Sequence, residues 1–481
     1  MNYKMMGKFI AQILIIEAIF MLPASLICLG YGEMNTMWSF FASMGITGAV
    51  SAGLYFGCKS APNAFYAKDG LVCVGISWLV LSAFGCLPFF LSQEIPHYVD
   101  AFFEMVSGIT TTGSSVVTNV EGLSHGVLYW RSFSNWLGGM GVLVFLLAFT
   151  GGQGKGFTLH LLRAESPGPD VGKLVPKMRS TAGILYLIYI AMTVVNFLFL
   201  IFGRMPVFDA VCTAMSTAGT GGFGIKNDSF ASFSPYIQTV TTVFMMLFAV
   251  NFNCYYLLLL GHIKSVFNDE ELRMYLGIIF ASILLITLNI RPLYGTVGES
   301  IRHAAFQVGT LVSSTGFAST DFDLWPSFSK AILMCLMVVG ACAGSTGGGL
   351  KVARLMLILK SLRRNIRQTL HFRKVQVIRN NAQPVSERVL DNTNAYLAAY
   401  VIILFVSFVL VSIDGFNLET NFSAVLSCFN NMGPGFAAVG PTCNFSGFSV
   451  LSKLVLCLDM LLGRLEIFPI LVLFSRSTWK R

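Results

Sequence analysis

Long apolar runs separated by short polar segments dominate the sequence and predict its elements. A membrane-spanning helix needs about 20 consecutive apolar residues, and ten runs have roughly that length. They cover residues 9–30, 36–57, 70–92, 126–149, 181–203, 237–261, 274–290, 328–359, 394–413 and 450–474. The first run is too long for the apolar region of a signal peptide and lacks a clean cleavage motif, so we expect it to be retained as a span.

The composition also indicates a membrane protein. Of the 481 residues, 55% are hydrophobic and 11% are charged, whereas a soluble domain carries roughly 25% charged residues. The longest hydrophilic stretch, residues 360–392, is too short to build a catalytic core, so we expect no enzyme. The 11 cysteines are scattered without a CxxC pair, which favours packing over a zinc site or disulfides. The predicted fold class is an all-α polytopic membrane protein.

Basic residues are distributed unequally between the two sides that ten spans define. Of the 32 Lys and Arg residues, 24 lie on the side that holds both termini, seven lie on the opposite side, and Arg464 lies within the last span. Positive residues mark the cytoplasmic side, so we expect both termini in the cytoplasm. The net charge of +9 then follows from orientation and from contact with anionic lipids, and it requires no nucleic acid.

Four segments between spans share one pattern, in which a glycine follows an opening residue by 13 positions. The four pairs are Asp100 and Gly113, Asp209 and Gly222, His303 and Gly316, and Phe422 and Gly435. Segments at a fixed register indicate an architecture built from copies. Extracellular loops are also rich in Gly and Thr, but such loops do not explain four equal spacings.

The pattern is typical of a half-helix that enters the membrane and returns. About ten helical residues rise about 15 Å, half of a ~30 Å bilayer core. The carboxyl end carries a partial negative charge that suits a cation, and carbonyls of the returning chain can replace its water shell. We therefore predict a selectivity filter. Its residues are Thr111, Thr112, Gly113, Thr220, Gly221, Gly222, Ser314, Thr315, Gly316, Gly433, Pro434 and Gly435.

A gate is predicted in the run 328–359, which as one helix would measure about 48 Å. Its middle holds five glycines between residues 340 and 349, and each interior glycine costs about 1 kcal/mol of helix stability. We expect a loop beneath the third filter segment; close helix packing through Gly340 and Gly344 is the alternative. The gate residues are Gly344, Ser345, Thr346, Gly347, Gly348, Gly349, Lys351 and Arg464.

The two basic residues of this set have alternative explanations. Arg464 near the centre of the last span costs about 2.5–3.5 kcal/mol on insertion scales, so it must face the cavity or a partner. A structural pair with Asp459 or Glu466 is the other possibility. Lys351 either takes part in the gate or lies at a solvated cytoplasmic end.

Other functions are less consistent with the residues. Gly219 to Gly224 matches a dinucleotide fingerprint but follows a half-helix rather than a strand. A secondary transporter with broken helices and twofold inverted repeats would also show glycine-interrupted spans. Fourfold repetition in one direction argues against it, although coupling of transport to a proton or sodium gradient stays open.

Six motifs together resemble those of the Trk/Ktr/HKT superfamily of potassium transporters. They are Thr110–Ser114, Trp136–Gly141, Ser216–Gly219, Ser313–Phe317, Gly344–Gly349 and Asn431–Gly435. Two extra spans before residue 60 make the chain most similar to the bacterial TrkH branch. The resemblance implies potassium uptake across the bacterial inner membrane, with K+ in the filter and no organic cofactor. It also implies an obstructing intramembrane loop, a homodimer and a cytosolic, TrkA-like nucleotide-binding regulatory subunit.

The resemblance divides the chain into two extra helices and four repeats of outer helix, pore helix and inner helix. The expected bounds are 1–60 for the extra helices and 61–180, 181–272, 273–392 and 393–481 for the repeats. Residues 360–392 carry eight basic and two acidic side chains. This basic segment is expected to dock either the cytosolic partner or anionic lipid headgroups.

Overall fold

The computed structural model describes residues 2–59, 67–141, 178–371 and 376–479. Parts of the predicted span 126–149 and of the basic segments at 151–180 and 360–392 lie outside these ranges. The described residues are almost entirely helical, and one short antiparallel ribbon pairs Arg379–Asn380 with Gln383–Pro384. The chain begins with three helices. They are Tyr3–Phe20, Leu22–Tyr31 and Met34–Gly57.

The rest of the chain repeats one order of helices four times. The outer helices are Ala67–Gly85 with Leu87–Leu91, Met178–Phe202, Glu270–Ile290 and Glu387–Val411. Pore helices 1 to 4 are Tyr98–Ile109, Val207–Gly219, Val297–Val312 and Leu418–Phe429. Inner helices 1 to 4 start with His125–Gly139, Pro235–Phe248, Ser327–Val339 and Val450–Arg464. After a break, inner helices 2 to 4 continue as Phe252–Leu259, Val352–Leu370 and Phe468–Phe474.

Short helical segments complete the described part of the chain. The α-helical ones are Ile263–Phe267 and Arg476–Trp479. The 3-10 turns are Arg291–Leu293, Phe322–Leu324, Ser412–Asp414 and Ala437–Val439.

Capping residues repeat along with the helices. Ser124, Ser234 and Ser449 precede inner helices 1, 2 and 4, and each hydroxyl accepts a hydrogen bond from a first-turn N–H. Each pore helix carries an acidic residue in its first turn, where the helix dipole favours negative charge. These local signals stabilise the first turns of the helices that carry them.

The inner helices are interrupted more often than the sequence predicts. The break expected within 328–359 is confirmed, since one helix ends at Val339 and the next begins at Val352. The span 237–261 also bends, by 88° between Phe248 and Phe252. The span 450–474 breaks between Arg464 and Phe468. Among the described residues, six helices are therefore long and apolar enough to cross a membrane, or seven with the bent pair.

Glycines let the backbones of different helices touch, both within a repeat and between repeats. A Cβ on Gly138 of inner helix 1 would overlap the carbonyl oxygen of Ile109, at the end of pore helix 1. A Cβ on Gly219 of pore helix 2 would overlap the carbonyl oxygen of Asn135. Backbone atoms cannot rotate away as a side chain can, so these positions require glycine.

We predict that Gly138→Ala destabilises the folded protein by about 1–3 kcal/mol through overpacking. Gly277→Ala is the matched control, because Gly277 lies in an outer helix with nothing within 4 Å of an added Cβ. The control should be neutral or stabilising by about 0.5–1 kcal/mol. The measurement is the thermal unfolding midpoint of each detergent-solubilised variant, monitored by size-exclusion chromatography. Equal midpoints for Gly138→Ala and Gly277→Ala would contradict the close packing.

Candidate functional site

The four segments that follow the pore helices share one backbone conformation. Each has a residue with positive φ and, two positions later, a glycine with positive φ. The pairs are Thr111 and Gly113, Thr220 and Gly222, Ser314 and Gly316, and Asn431 and Gly433. The residue between the two donates its N–H to a carbonyl oxygen five positions earlier. These donors are Thr112, Gly221, Thr315 and Met432. A non-glycine residue at positive φ is uncommon, so four equivalent cases show a true structural repeat.

We call residues 111–113, 220–222, 314–316 and 431–433 the filter segments, after the function predicted for them. The fourth has a different register from the predicted one. The structural equivalent of Gly113 is Gly433, and the sequence assignment of that position to Gly435 is wrong. Gly435 does not have positive φ, and its N–H donates to the carbonyl oxygen of Val439 at 2.7 Å. Asn431 and Met432 take part in the repeat and were missed, whereas Pro434 follows the glycine directly.

One sequence signal would have found this register. A hydroxyl residue stands six positions before each structurally equivalent glycine. The four are Ser107, Ser216, Thr310 and Ser427. The residue six positions before Gly435 is instead Phe429. The hydroxyl residue also supplies the carbonyl that accepts the five-residue hydrogen bond, so the spacing has a structural cause.

The four segments form a closed ring. A Cβ added to Gly113 would overlap the carbonyl oxygen of Gly221, one on Gly222 that of Thr315, and one on Gly316 that of Met432. The ring closes because a Cβ on Gly433 would lie 3.0 Å from the carbonyl oxygen of Thr112. Each of repeats 2, 3 and 4 therefore presents one carbonyl oxygen to the glycine of the preceding repeat, and repeat 1 presents one to the glycine of repeat 4.

Buried side chains hold the ring from behind. The Thr110 hydroxyl lies 2.8 Å from that of Thr112, and the equivalent hydroxyls of Ser313 and Thr315 lie 2.7 Å apart. Asn431 donates its amide to the Thr112 hydroxyl at 3.0 Å, which joins segments 4 and 1. Polar groups at membrane depth must find partners within the protein, so this network fixes the segments in place.

The break of inner helix 3 forms a loop directly at the ends of pore helices 3 and 4. We call residues 340–351 the gate loop. The N–H of Gly348 donates to the Ser314 hydroxyl at 2.5 Å. A Cβ on Gly347 would lie 2.6 Å from the carbonyl oxygen of Ser313, and one on Gly348 would overlap that of Asn430. The glycines therefore allow a contact with the filter segments that larger residues would prevent.

The gate loop also contacts the break of inner helix 2. Thr346 donates its hydroxyl to the carbonyl oxygen of Phe248 at 3.1 Å. In the opposite direction, the N–H of Phe252 donates to the carbonyl oxygen of Gly344 at 3.0 Å. The two broken inner helices thus satisfy each other's free backbone groups.

Arg464 joins the gate loop to inner helices 1 and 4. Its guanidinium donates to the carbonyl oxygen of Thr346 at 2.8 Å, to that of Gly139 at 2.6 Å, and to that of Gly138. The last two acceptors lie at the C-terminal end of a helix, where positive charge is favourable.

The other basic and acidic residues of this region are also engaged. Asp459 accepts a hydrogen bond from Ser407 at 2.7 Å, and Glu466 pairs with Arg354. Lys351 is 3% exposed and donates to the carbonyl oxygen of Gly347, so a solvated position for Lys351 is excluded. The structure therefore brings all the predicted gate residues together.

Comparisons with known proteins agree along the whole chain. Residues 37–480 match the TrkH family model, described as a cation transport protein. The chain is 32% identical over 491 residues to the Trk system potassium uptake protein TrkH of Escherichia coli and that of Salmonella typhimurium, with 100% of each chain covered. It is 30% identical to TrkG of Escherichia coli, over 96% of this chain and 95% of that protein.

The structure is similar to the crystal structure of the potassium transporter TrkH from Vibrio parahaemolyticus. The TM-score is 0.89 at 29% sequence identity, and 100% of both chains is covered. The predicted all-α polytopic fold is thereby confirmed. Because the family model matches most of the sequence and full-length relatives exceed 30% identity, this multi-pass membrane protein belongs to the TrkH family of cation transport proteins.

Proposed function

We propose that the chain takes up potassium across the bacterial inner membrane through a selectivity filter that the gate loop opens and closes. The closed ring of four strained segments is the observation that carries this proposal. Relatives that share its full length are named potassium uptake proteins, which supports K+ as the transported ion.

The filter is suited to a dehydrated cation for two physical reasons. Backbone carbonyl oxygens such as those of Thr112, Gly221 and Thr315 can replace the ion's hydration shell. Each of the four pore helices also ends where its filter segment begins, so four negative dipole ends converge on the ring. In this proposal K+ is the cargo held transiently by residues 111–113, 220–222, 314–316 and 431–433.

The gate loop and Arg464 provide the barrier. A guanidinium held by backbone carbonyls places a fixed positive charge next to the ion path, and that charge opposes cation flow. Hydrogen bonds to charged groups are worth about 1.5–3 kcal/mol, so the contacts of Arg464 with the loop stabilise the closed arrangement. Opening requires the loop to leave the ends of pore helices 3 and 4.

The cytoplasmic continuation of inner helix 3, Val352–Leu370, is the proposed route from a partner to the gate. It carries exposed apolar side chains among arginines. The apolar ones are Leu359, Leu362, Ile366 and Leu370. A TrkA-like nucleotide-binding subunit that docks on this helix could pull on the gate loop directly. Both termini lie on the same cytoplasmic side in this proposal, the functional unit is a homodimer, and anionic lipids are the competing ligand for the arginines.

Coupling to a second ion is the alternative function. A symporter would need a proton or sodium gradient for uphill potassium entry. Reconstitution into liposomes separates the two cases, because a channel-like protein passes K+ under voltage alone. Flux that appears only with an imposed proton or sodium gradient would favour the symporter.

We predict that Gly433→Ser lowers the ratio of potassium to sodium flux about tenfold, or about 1.4 kcal/mol. The serine would strain the backbone at positive φ and crowd the carbonyl oxygen of Thr112. Gly435→Ser is the control, because its added Cβ meets the side chains of Ser423 and Val439, outside the ring. Gly113→Ser should behave like Gly433→Ser. If the ratio of potassium to sodium flux changed only in Gly435→Ser, the register predicted from the sequence would be the correct one for the fourth segment.

We predict that Arg464→Ala, or deletion within 344–349, raises flux without a partner about tenfold while the ion preference stays nearly intact. Each change removes hydrogen bonds of the closed state, worth about 1.5–3 kcal/mol when a charge is involved. Arg204→Ala is the control, since Arg204 is exposed at the end of outer helix 2. Wild-type flux in both gate variants, in protein that elutes as a single folded species, would place the barrier elsewhere.

We predict that Arg363→Glu with Arg367→Glu weakens binding of the regulatory subunit in a detergent pull-down. Both arginines lie on the cytoplasmic continuation of inner helix 3. Lys264→Glu with Arg273→Glu makes the same change of charge at other exposed positions and should leave binding intact. Undiminished binding in the first variant, together with weaker binding to anionic vesicles, would assign the arginines to lipid.

A further inference from the structure

A buried ion pair lies behind the first filter segment. Glu104 of pore helix 1 and Arg131 of inner helix 1 are 0% and 2% exposed. The guanidinium approaches the carboxylate through two nitrogens, with Nε and Nη2 at 2.8 Å and 2.7 Å from Oε1. Charged side chains inside a membrane protein are expensive to bury and usually have a function.

The same carboxylate holds the chain that leaves the first filter segment. Ser115, two residues after Gly113, donates its hydroxyl to the two oxygens of Glu104 at 2.9 Å and 3.1 Å. The N–H of Val116 donates to Oε2 at 3.0 Å. Arg131 completes the cluster by donating to the Ser115 hydroxyl at 3.2 Å. The chain that follows the first filter segment is therefore fixed to pore helix 1 at Ser115 and Val116, just beyond the ring.

The guanidinium also reaches the second filter segment. Its carbon lies 4.2 Å from the ring centroid of Phe223, the residue directly after Gly222. A cation within about 6 Å of the centre of an aromatic face is attracted by the π electrons of that side chain. Because Phe223 is buried, this contact ties segment 2 to the ion pair that holds segment 1.

The other three repeats lack a charge at the aligned position, nine residues before the filter glycine. Thr213, Gln307 and Ala424 stand there in repeats 2, 3 and 4. Gln307 donates to the carbonyl oxygen of Thr320 at 3.3 Å, a single bond where Glu104 accepts several. Of the four aligned positions, only that of repeat 1 therefore carries a buried ion pair. Apolar residues of similar volume are often as stabilising as a buried ion pair, so stability alone does not account for the pair.

We propose that Glu104 and Arg131 are positioning residues that set the spacing of filter segments 1 and 2 and thereby the preference for potassium over sodium. The inference rests on the proposed filter. Because the pair anchors both segments, losing it frees the carbonyl oxygens of Thr112 and Gly221 to shift, and the ring can then contract around the smaller ion. The preference for potassium over sodium then falls before the total ion flux does.

The test compares potassium, rubidium and sodium flux in liposomes under voltage for four variants. Glu104→Gln removes the negative charge at constant shape, and Phe223→Leu removes only the aromatic face. The double variant Glu104→Leu with Arg131→Met replaces the pair by apolar residues. Asp100→Asn is the matched control, because it breaks the 2.6 Å ion pair with Lys453 on the same pore helix.

We expect the potassium-to-sodium ratio to fall about tenfold, equivalent to about 1.4 kcal/mol, in Glu104→Gln and to a smaller extent in Phe223→Leu. The double variant should keep the thermal stability of the wild type and still lose the preference, which a purely structural pair would not do. The Asp100 control should keep the wild-type ratio.

Wild-type ratios in Phe223→Leu and in the double variant would overturn the inference, whether or not Glu104→Gln folds. An equal loss in the Asp100 control would also overturn it, since any ion pair of this helix would then act alike. Failure of the proposed function looks different, because the wild-type protein itself would show no preference for potassium.

Discussion

In the centre of the molecule, the glycine of each filter segment lies directly against a carbonyl oxygen of the next segment. This contact recurs four times around the ring; it leaves no room for a Cβ at Gly113, Gly222 and Gly316, and it is tight at Gly433. It requires left-handed backbone at four glycines and at the residue two positions before each of them. At the four non-glycine residues such conformations cost about 1–3 kcal/mol each, so the surrounding pore helices, hydroxyl groups and inner helices must impose them.

The broken inner helices are stabilised by contacts with the same region. A break leaves N–H and carbonyl groups without helical partners, and these groups bind side chains and backbone of neighbouring segments. Gly348 donates to Ser314, and Arg464 donates to Thr346, Gly138 and Gly139. The ring, the gate loop and Arg464 therefore form one connected polar network in apolar surroundings. Movement of the loop would require several of these groups to change partners together.

The sequence predicts the parts that periodicity and composition encode, and it does not predict those set by contacts between repeats. Apolar runs and a repeated Thr and Gly pattern indicate the spans and three filter segments. The break at 340–349 follows from its glycines. The breaks at 249–251 and 465–467 have no such signal: Glu466 and Ile467 both have positive φ although neither favours it. Burial of Lys351 and the pairing of Glu104 with Arg131 also depend on neighbours distant in sequence.

The most direct test of the account is to locate the bound ion. A structure of the purified protein in rubidium or thallium salt would show the ion through its anomalous scattering. We expect density on the axis of the ring, at the level of the carbonyl oxygens of Thr112, Gly221, Thr315 and Met432. Ions bound elsewhere in the chain, with none on this axis, would contradict the claim that the four segments form one filter.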